Sequence, residues 1–147
     1  MKRDLGDGYE LDDDPARIDL EAVHAYLSEE SYWAKGRPRE TQAEMNDRAA
    51  RLVGLYYEDR QVGFSRTAVV PGMKVAYLYD VYVLAEHRGR GLGAELVHET
   101  VDCGPYASYR WLLDTTDAHG LYGKFGFGPP SGNLLERLRK SRSNERD

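Results

Sequence analysis

A single cysteine, Cys103, is all the thiol this chain of 147 residues contains. It closes no internal disulfide, and no Cys/His cluster has the spacing of a zinc site, so no metal is expected. Its simplest role is a small, partly buried thiol. Long hydrophobic runs are missing too: nothing approaches the roughly 18 consecutive apolar residues of a membrane span. The first twenty residues, with Asp12, Asp13 and Asp14, do not look like a secretion signal. No membrane partner and a cytoplasmic location are therefore expected. Positive charge is also short, 20 Lys and Arg against 25 Asp and Glu, a formal charge of -5. That balance argues against a nucleic-acid surface and leans toward a small or cationic partner.

What remains is ordinary for a soluble globular domain: 41% hydrophobic and 31% charged residues. The length suits one domain, residues 1–147, with one core. No internal repeat or long linker divides it. Met1 to Gly8 and Lys140 to Asp147 are polar and expected to fray.

Periodicity outlines the elements. Tyr9 to Asp13 reads as a short strand. Asp19 to Glu29 carries Leu20, Val23 and Leu27 at helical spacing, and Glu40 to Ala50 reads as a second helix. Ser31 to Pro38 breaks the period as a loop. Leu52 to Glu58, Gln61 to Val70 and Lys74 to Leu84 read as three strands joined by turns at Asp59-Arg60 and Pro71-Gly72, an antiparallel meander. A helix over Ala94 to Val101, a strand over Arg110 to Asp114 and a short helix over Asp117 to Phe125, capped by Thr116 or Asp117, follow. A last strand is expected between Gly128 and Leu138. The order is β-α-α-β-β-β-α-β-α-β, with a crossover that makes the strands on either side of the 94–101 helix parallel.

The most informative segment is Arg88-Gly89-Arg90-Gly91-Leu92-Gly93-Ala94, between the apolar run Val81-Tyr82-Val83-Leu84 and a helix. A glycine-rich turn at a helix N-terminus presents unpaired N–H groups and the positive end of the helix dipole, which suits phosphate. Gly89-x-Gly91-x-x-Ala94, with Asp114 about twenty residues on, also satisfies a dinucleotide-binding pattern. That reading sits poorly with three antiparallel strands before the turn and 33 residues after Asp114. No Gly-x-x-x-x-Gly-Lys-Ser/Thr segment is present.

Two motifs together carry a family resemblance. Arg88-x-x-Gly91-x-Gly93 resembles the pyrophosphate loop of the GNAT N-acetyltransferase family, and Leu121-Tyr122-Gly123-Lys124-Phe125-Gly126-Phe127 resembles its second hallmark. Asp80-Val81-Tyr82-Val83 sits where that family's central strand runs. The three segments span about residues 74 to 128. The resemblance implies an α+β fold whose mixed sheet is splayed between two parallel strands and flanked by helices. It implies acetyl-coenzyme A as acyl donor and a primary amine, in a small molecule or peptide, as acceptor. The cofactor diphosphate would sit on the amides of Gly89, Arg90, Gly91, Leu92, Gly93 and Ala94, with charge from Arg88 and Arg90. Its pantetheine arm would pair with the strand at Val81, Tyr82 and Val83. Thr115 stands where the family often has an asparagine that touches the arm.

Tyr122 matches the family's general acid, which gives a proton to the departing sulfur; otherwise it packs on Phe125 and Phe127. Two residues are candidates for the base. Asp80, if buried with a raised pKa, would take the amine proton directly or through water, or else hold a substrate cation or cap a strand end. His119, about one helical turn from Tyr122, is the rival, unless it faces solvent. Tyr32 and Trp33 either line the acceptor cleft or pin their loop to the core. A non-catalytic acyl-coenzyme A sensor is the alternative reading of the same motifs, and dimers are frequent among relatives.

Overall fold

Turn chemistry sets the topology of the first half of the chain. In the computed structural model, which describes residues 1–140, Asp7 and Gly8 both have positive φ, 53° and 88°. Asp-Gly favours that two-residue hairpin turn, because glycine and aspartate tolerate the left-handed region. It folds β1 (Lys2–Gly6) onto β2 (Tyr9–Asp12), with Lys2 opposite Asp12. Residues 2–6 are thus a paired edge strand, where fraying was expected. The charged tail expected from residue 140 lies, from 141 on, outside the described residues.

A 3-10 turn leads to α1 (Leu20–Glu29), whose N-cap Asp19 accepts a hydrogen bond from the Ala22 N–H. Next comes α2 (Arg39–Asp47), shorter than its pattern suggests because Ala50 already donates its N–H to the Thr67 carbonyl at the sheet. The meander follows: β3 (Arg51–Tyr57), β4 (Arg60–Val70) and β5 (Val75–Val83), antiparallel throughout. The first of its turns falls at Glu58-Asp59, one residue earlier than expected, with both φ values positive.

From β5 the chain crosses through α3 (Leu92–Asp102) to β6 (Arg110–Leu112), which runs parallel to β5. The last helix, α4 (His119–Gly123), is brief. Neither Thr116 nor Asp117 caps it; the N-cap is Ala118, whose N–H donates to Oγ1 of Thr115. The six strands lie in sequence order in one mixed sheet. The expected strand between Gly128 and Leu138 is absent: that stretch carries no ladder, and Leu135 and Leu138 are exposed. Pro129 and Pro130 remove two donors at its start. The described order is therefore β-β-α-α-β-β-β-α-β-α.

Alternating strand positions build a core on both faces. On one, Val23 and Leu27 of α1 pack with Leu52, Phe64 and Tyr82. On the other, Leu92 and Leu96 of α3 meet Leu11, Val53, Leu55 and Val62. Leu78, Val97 and Val101 continue that layer, with Trp111, Leu121, Tyr122, Phe125 and Phe127 against them. Cys103 follows α3 and is exposed, against the expectation of partial burial.

Two irregularities of β5 shape the site. Its pairing with β6 covers only Val75 to Tyr77, against Arg110 to Leu112. Beyond Tyr77 the sheet is open on that side while β5 runs on to Val83, so the expected splay between parallel strands is present. The pairing with β4 also shifts, from Arg66 opposite Tyr79 to Phe64 opposite Tyr82. One extra residue is accommodated there, and Asp80 takes a φ of 57°, a β-bulge in the middle of the strand.

Candidate active site

The turn before α3 leaves its backbone amides and the space over them open. Gly89 and Gly91 have φ of 81° and 78°, where a side chain is strained, and a Cβ on Gly89, Gly91 or Gly93 would meet nothing within 4 Å. The space over the turn is open. Glu95 makes the first helical bond, to the Gly91 carbonyl, and no side chain caps the helix. Among the described residues, none of the amides of Gly89, Arg90, Gly91, Leu92, Gly93 and Ala94 donates to a protein acceptor. These are the orphan donors of a helix N-terminus, concentrated beside its positive dipole end. Arg88 turns away from them: its Nε donates to the Val83 carbonyl at 2.8 Å and its Nη2 to the Tyr26 hydroxyl at 2.9 Å. Beneath the turn, buried His87 has its Nδ1 2.7 Å from the Tyr9 hydroxyl.

At the other end of the opened strand lies Asp80, its side chain 1% exposed. The bulge turns it toward the α1–α2 loop. Oδ2 accepts from Arg66 Nε at 2.9 Å and from Arg37 Nη1 at 3.0 Å, and Oδ1 from the Trp33 indole at 3.1 Å. Burial alone would raise the pKa of this carboxyl, but the Arg66 and Arg37 guanidiniums outweigh it and hold the group below its usual value. The raised pKa expected of a general base is therefore reversed. Arg66 also lies over the Tyr79 ring, 4.6 Å from its centroid.

Tyr122 is half-buried on α4, edge-on to Phe127 with centroids 5.8 Å apart. It packs on the aromatic cluster, and its hydroxyl has no protein partner among the described residues. Burial pushes the phenol up to about 12, and Tyr32 and Asp117 act in the same direction. Tyr32 reaches over from the α1–α2 loop, its hydroxyl accepting from the Thr116 N–H at 3.1 Å. That loop is pinned by Ala34, by Ser31 Oγ bonded to the Leu27 carbonyl and by Trp33 on Asp80, while the Tyr32 and Trp33 rings stay exposed. His119 is exposed at the start of α4. Tyr77, Trp111, Thr115, His119 and Tyr122 share the wall of a groove of about 1160 Å³ between β6, α4 and the segment after it.

Trp33 is thus bonded to Asp80, Tyr32 lies close enough to Tyr122 to act on its phenol, and Val81, Tyr82 and Val83 follow Asp80 on the strand that leads to the glycine turn. His119 lines the same groove as Tyr122 and makes no hydrogen bond to Asp80 or Tyr122. Sequence reasoning missed Arg37 and Arg66. A signal existed for the second, an arginine inside the apolar strand Val62 to Val69: a charge there must have a partner.

A six-stranded mixed sheet, opened on one side of β5 and followed by a glycine turn and helix, is the architecture of GNAT proteins. The family model for the Acetyltransferase (GNAT) family matches residues 20–127, and the chain belongs to that family. It is 31% identical over 137 residues to a "Putative acetyltransferase" of Gibberella zeae, an alignment covering 79% of this chain and 76% of the other. A crystal structure of a "putative acetyltransferase belonging to the gnat family" from Xanthomonas campestris superposes with a TM-score of 0.80 at 35% identity, covering 89% of this chain and 93% of that one. A Staphylococcus aureus structure matches the fold at a TM-score of 0.70 and 24% identity, over 90% and 99% of the two chains. Among the described residues no helix is long and apolar enough to cross a membrane, and no group of three or more His, Cys, Asp and Glu side chains is placed to hold a metal.

Proposed function

We propose that this protein transfers an acetyl group from acetyl-coenzyme A to a primary amine by direct attack in a ternary complex. The observation that carries the reading is the row of amides from Gly89 to Ala94, free of protein acceptors beside a helix N-terminus. A diphosphate meets there the donors it needs. The unpaired edge of β5 from Leu78 to Val83 supports the second half of the reading, because an extended pantetheine arm can add to it as a strand would. One backbone N–H on that edge then holds the thioester carbonyl as charge develops on its oxygen.

Tyr122 serves the leaving group. A phenol of pKa about 12 facing a thiol near 8.5 makes complete proton transfer about 5 kcal/mol uphill. Its hydroxyl therefore donates a hydrogen bond to the sulfur as negative charge grows, and the proton follows later. Asp80, ionised and bound to two arginines, is a weak proton acceptor. In this scheme it anchors the loop that bounds the acceptor, and His119 is the remaining side-chain candidate for base. Arg88 holds the Val83 carbonyl and so fixes the strand end; Arg90 adds charge at the turn.

Titration calorimetry with coenzyme A, followed by label transfer from acetyl-coenzyme A to an amine panel, tests the proposal. Uptake together with transfer supports it, whereas uptake without transfer to any amine favours a sensor. Tyr122→Phe should reduce kcat by about a hundredfold, within the usual range for acid catalysis, with little change in coenzyme A affinity. An unchanged kcat removes Tyr122 from the chemistry. Loss of the acid limb of the pH–rate profile in His119→Gln would identify the base.

A further inference from the structure

We propose that the acceptor amine carries a carboxylate, which docks on the free guanidinium nitrogens of Arg66 and Arg37 beside the Tyr79 ring. This rests on the acetyl-transfer reading and names its substrate class: amino acids or small peptides whose carboxylate lies near the amine, in preference to polyamines.

Charge is the first argument. Among the described residues Arg66 and Arg37 pair with one carboxylate, Asp80, so the cluster carries a surplus positive charge beside the unpaired stretch of β5. The overall charge of -5 does not describe this spot. Asp114 and Asp117 are the nearby acids that also act on Tyr79 and Tyr122, and both are exposed. Exposed charges are screened by solvent, whereas the side chain of Arg66 is 8% exposed.

Unused donors are the second. Arg66 spends only Nε on Asp80, and Arg37 only Nη1, which Asp80 and Gln42 share. Among the described residues, Nη1 and Nη2 of Arg66 and Nε and Nη2 of Arg37 have no protein partner. None of them is sealed from water, since among the described residues Nη2 of Arg3 is the one side-chain nitrogen or oxygen that is both buried and unpartnered. A guanidinium held along one edge by a carboxylate and across its face by an aromatic ring is already oriented, so little freedom is lost when a second carboxylate arrives.

Position is the third. Asp80 adjoins Val81 on the strand proposed to carry the thioester arm, and Trp33, bonded to Asp80, is next to Tyr32, which acts on Tyr122. Tyr77 and Tyr79 stack with centroids 5.7 Å apart and provide a shelf beyond Arg66. An acceptor anchored by its carboxylate at the arginines lies between that shelf and the reacting carbon.

The test is a set of matched acceptors that differ only in the carboxylate: amino acids and dipeptides against their amides, with spermidine as a polycation. We expect kcat/KM to favour the free acid by about tenfold or more, mainly through KM. Arg66→Lys and, independently, Arg37→Lys keep a counter-charge for Asp80 while removing the open fork, and each should bring the acid-to-amide ratio toward one. Thermal melting verifies that each variant folds, and the wild-type panel decides the matter even where one does not. Equal or better use of amides or spermidine overturns this inference and leaves acetyl transfer standing. Failure of coenzyme A to bind overturns both.

Discussion

Two of the arginine–carboxylate clusters in this molecule differ in balance. In the first, Arg51 bonds Glu99 and Asp13, Arg3 bonds Glu95 and Glu99, and the Met1 amine bonds Asp13. Cations and carboxylates are equal in number there, and the cluster ties β1 and β3 to α3. In the second, Arg37 and Arg66 share Asp80 alone. The balanced cluster pairs its charges one for one, leaving Nη2 of Arg3 without a partner, and reads as architecture. The unbalanced one leaves guanidinium nitrogens without a protein partner among the described residues, on the strand whose edge is open, which is why the ligand proposed above is placed there.

The largest effects should come from removing the central carboxylate of either cluster. Glu99→Gln and Asp80→Asn should each destabilise by about 3 to 5 kcal/mol in urea denaturation, because buried guanidiniums lose their partner. Added formate sharpens the contrast. It should restore part of the stability of Asp80→Asn, whose arginines keep nitrogens that are not sealed from water, and less of that of Glu99→Gln, whose Arg51 is bonded on three nitrogens; equal recovery in both would erase the distinction. Acidity separates Asp80 further. Its pKa is lowered on folding, so its stabilisation is complete above the unfolded value of about 4 and disappears as the pH falls through the folded value. The stability gap between wild type and Asp80→Asn should therefore hold from neutrality to about pH 4 and shrink below it. Trp33→Phe, which removes one half-exposed hydrogen bond to Asp80, should cost about 1 kcal/mol. Arg48→Ala, breaking an exposed pair with Glu44 on α2, should change stability by no more than about 0.5 kcal/mol.

The same contrast explains what the sequence revealed. The glycine turn was legible because its chemistry is local: an apolar strand, glycines and a helix start within a dozen residues. The meander and its crossover were legible through alternation and short turns. The Asp80 cluster was not, since Arg37 and Trp33 lie 43 and 47 residues away in sequence and Arg66 lies 14 away on the neighbouring strand. Without those partners a buried aspartate looks like a base with a raised pKa; with them it is an anchored anion. β1 was missed although Asp7-Gly8 is a strong hairpin signal, because Lys2-Arg3-Asp4 has no apolar alternation. The last strand, expected between Gly128 and Leu138, does not form, and Pro129 and Pro130 at its start could not have donated to a ladder.

The additional residue at the centre of β5 has a consequence for distance. Tyr79 and Tyr82 stand opposite Arg66 and Phe64, on one side of the sheet although they are three apart, so the in-and-out parity of the strand inverts between them. Excising Asp80 or Val81 would make the strand regular only by drawing everything from Tyr82 to the glycine turn back by about 3.3 Å, one strand step. The kink thus works as a spacer: it fixes the span between the Asp80 cluster and the glycine turn, and so, in the acetyl-transfer proposal, between the diphosphate and the acyl carbon.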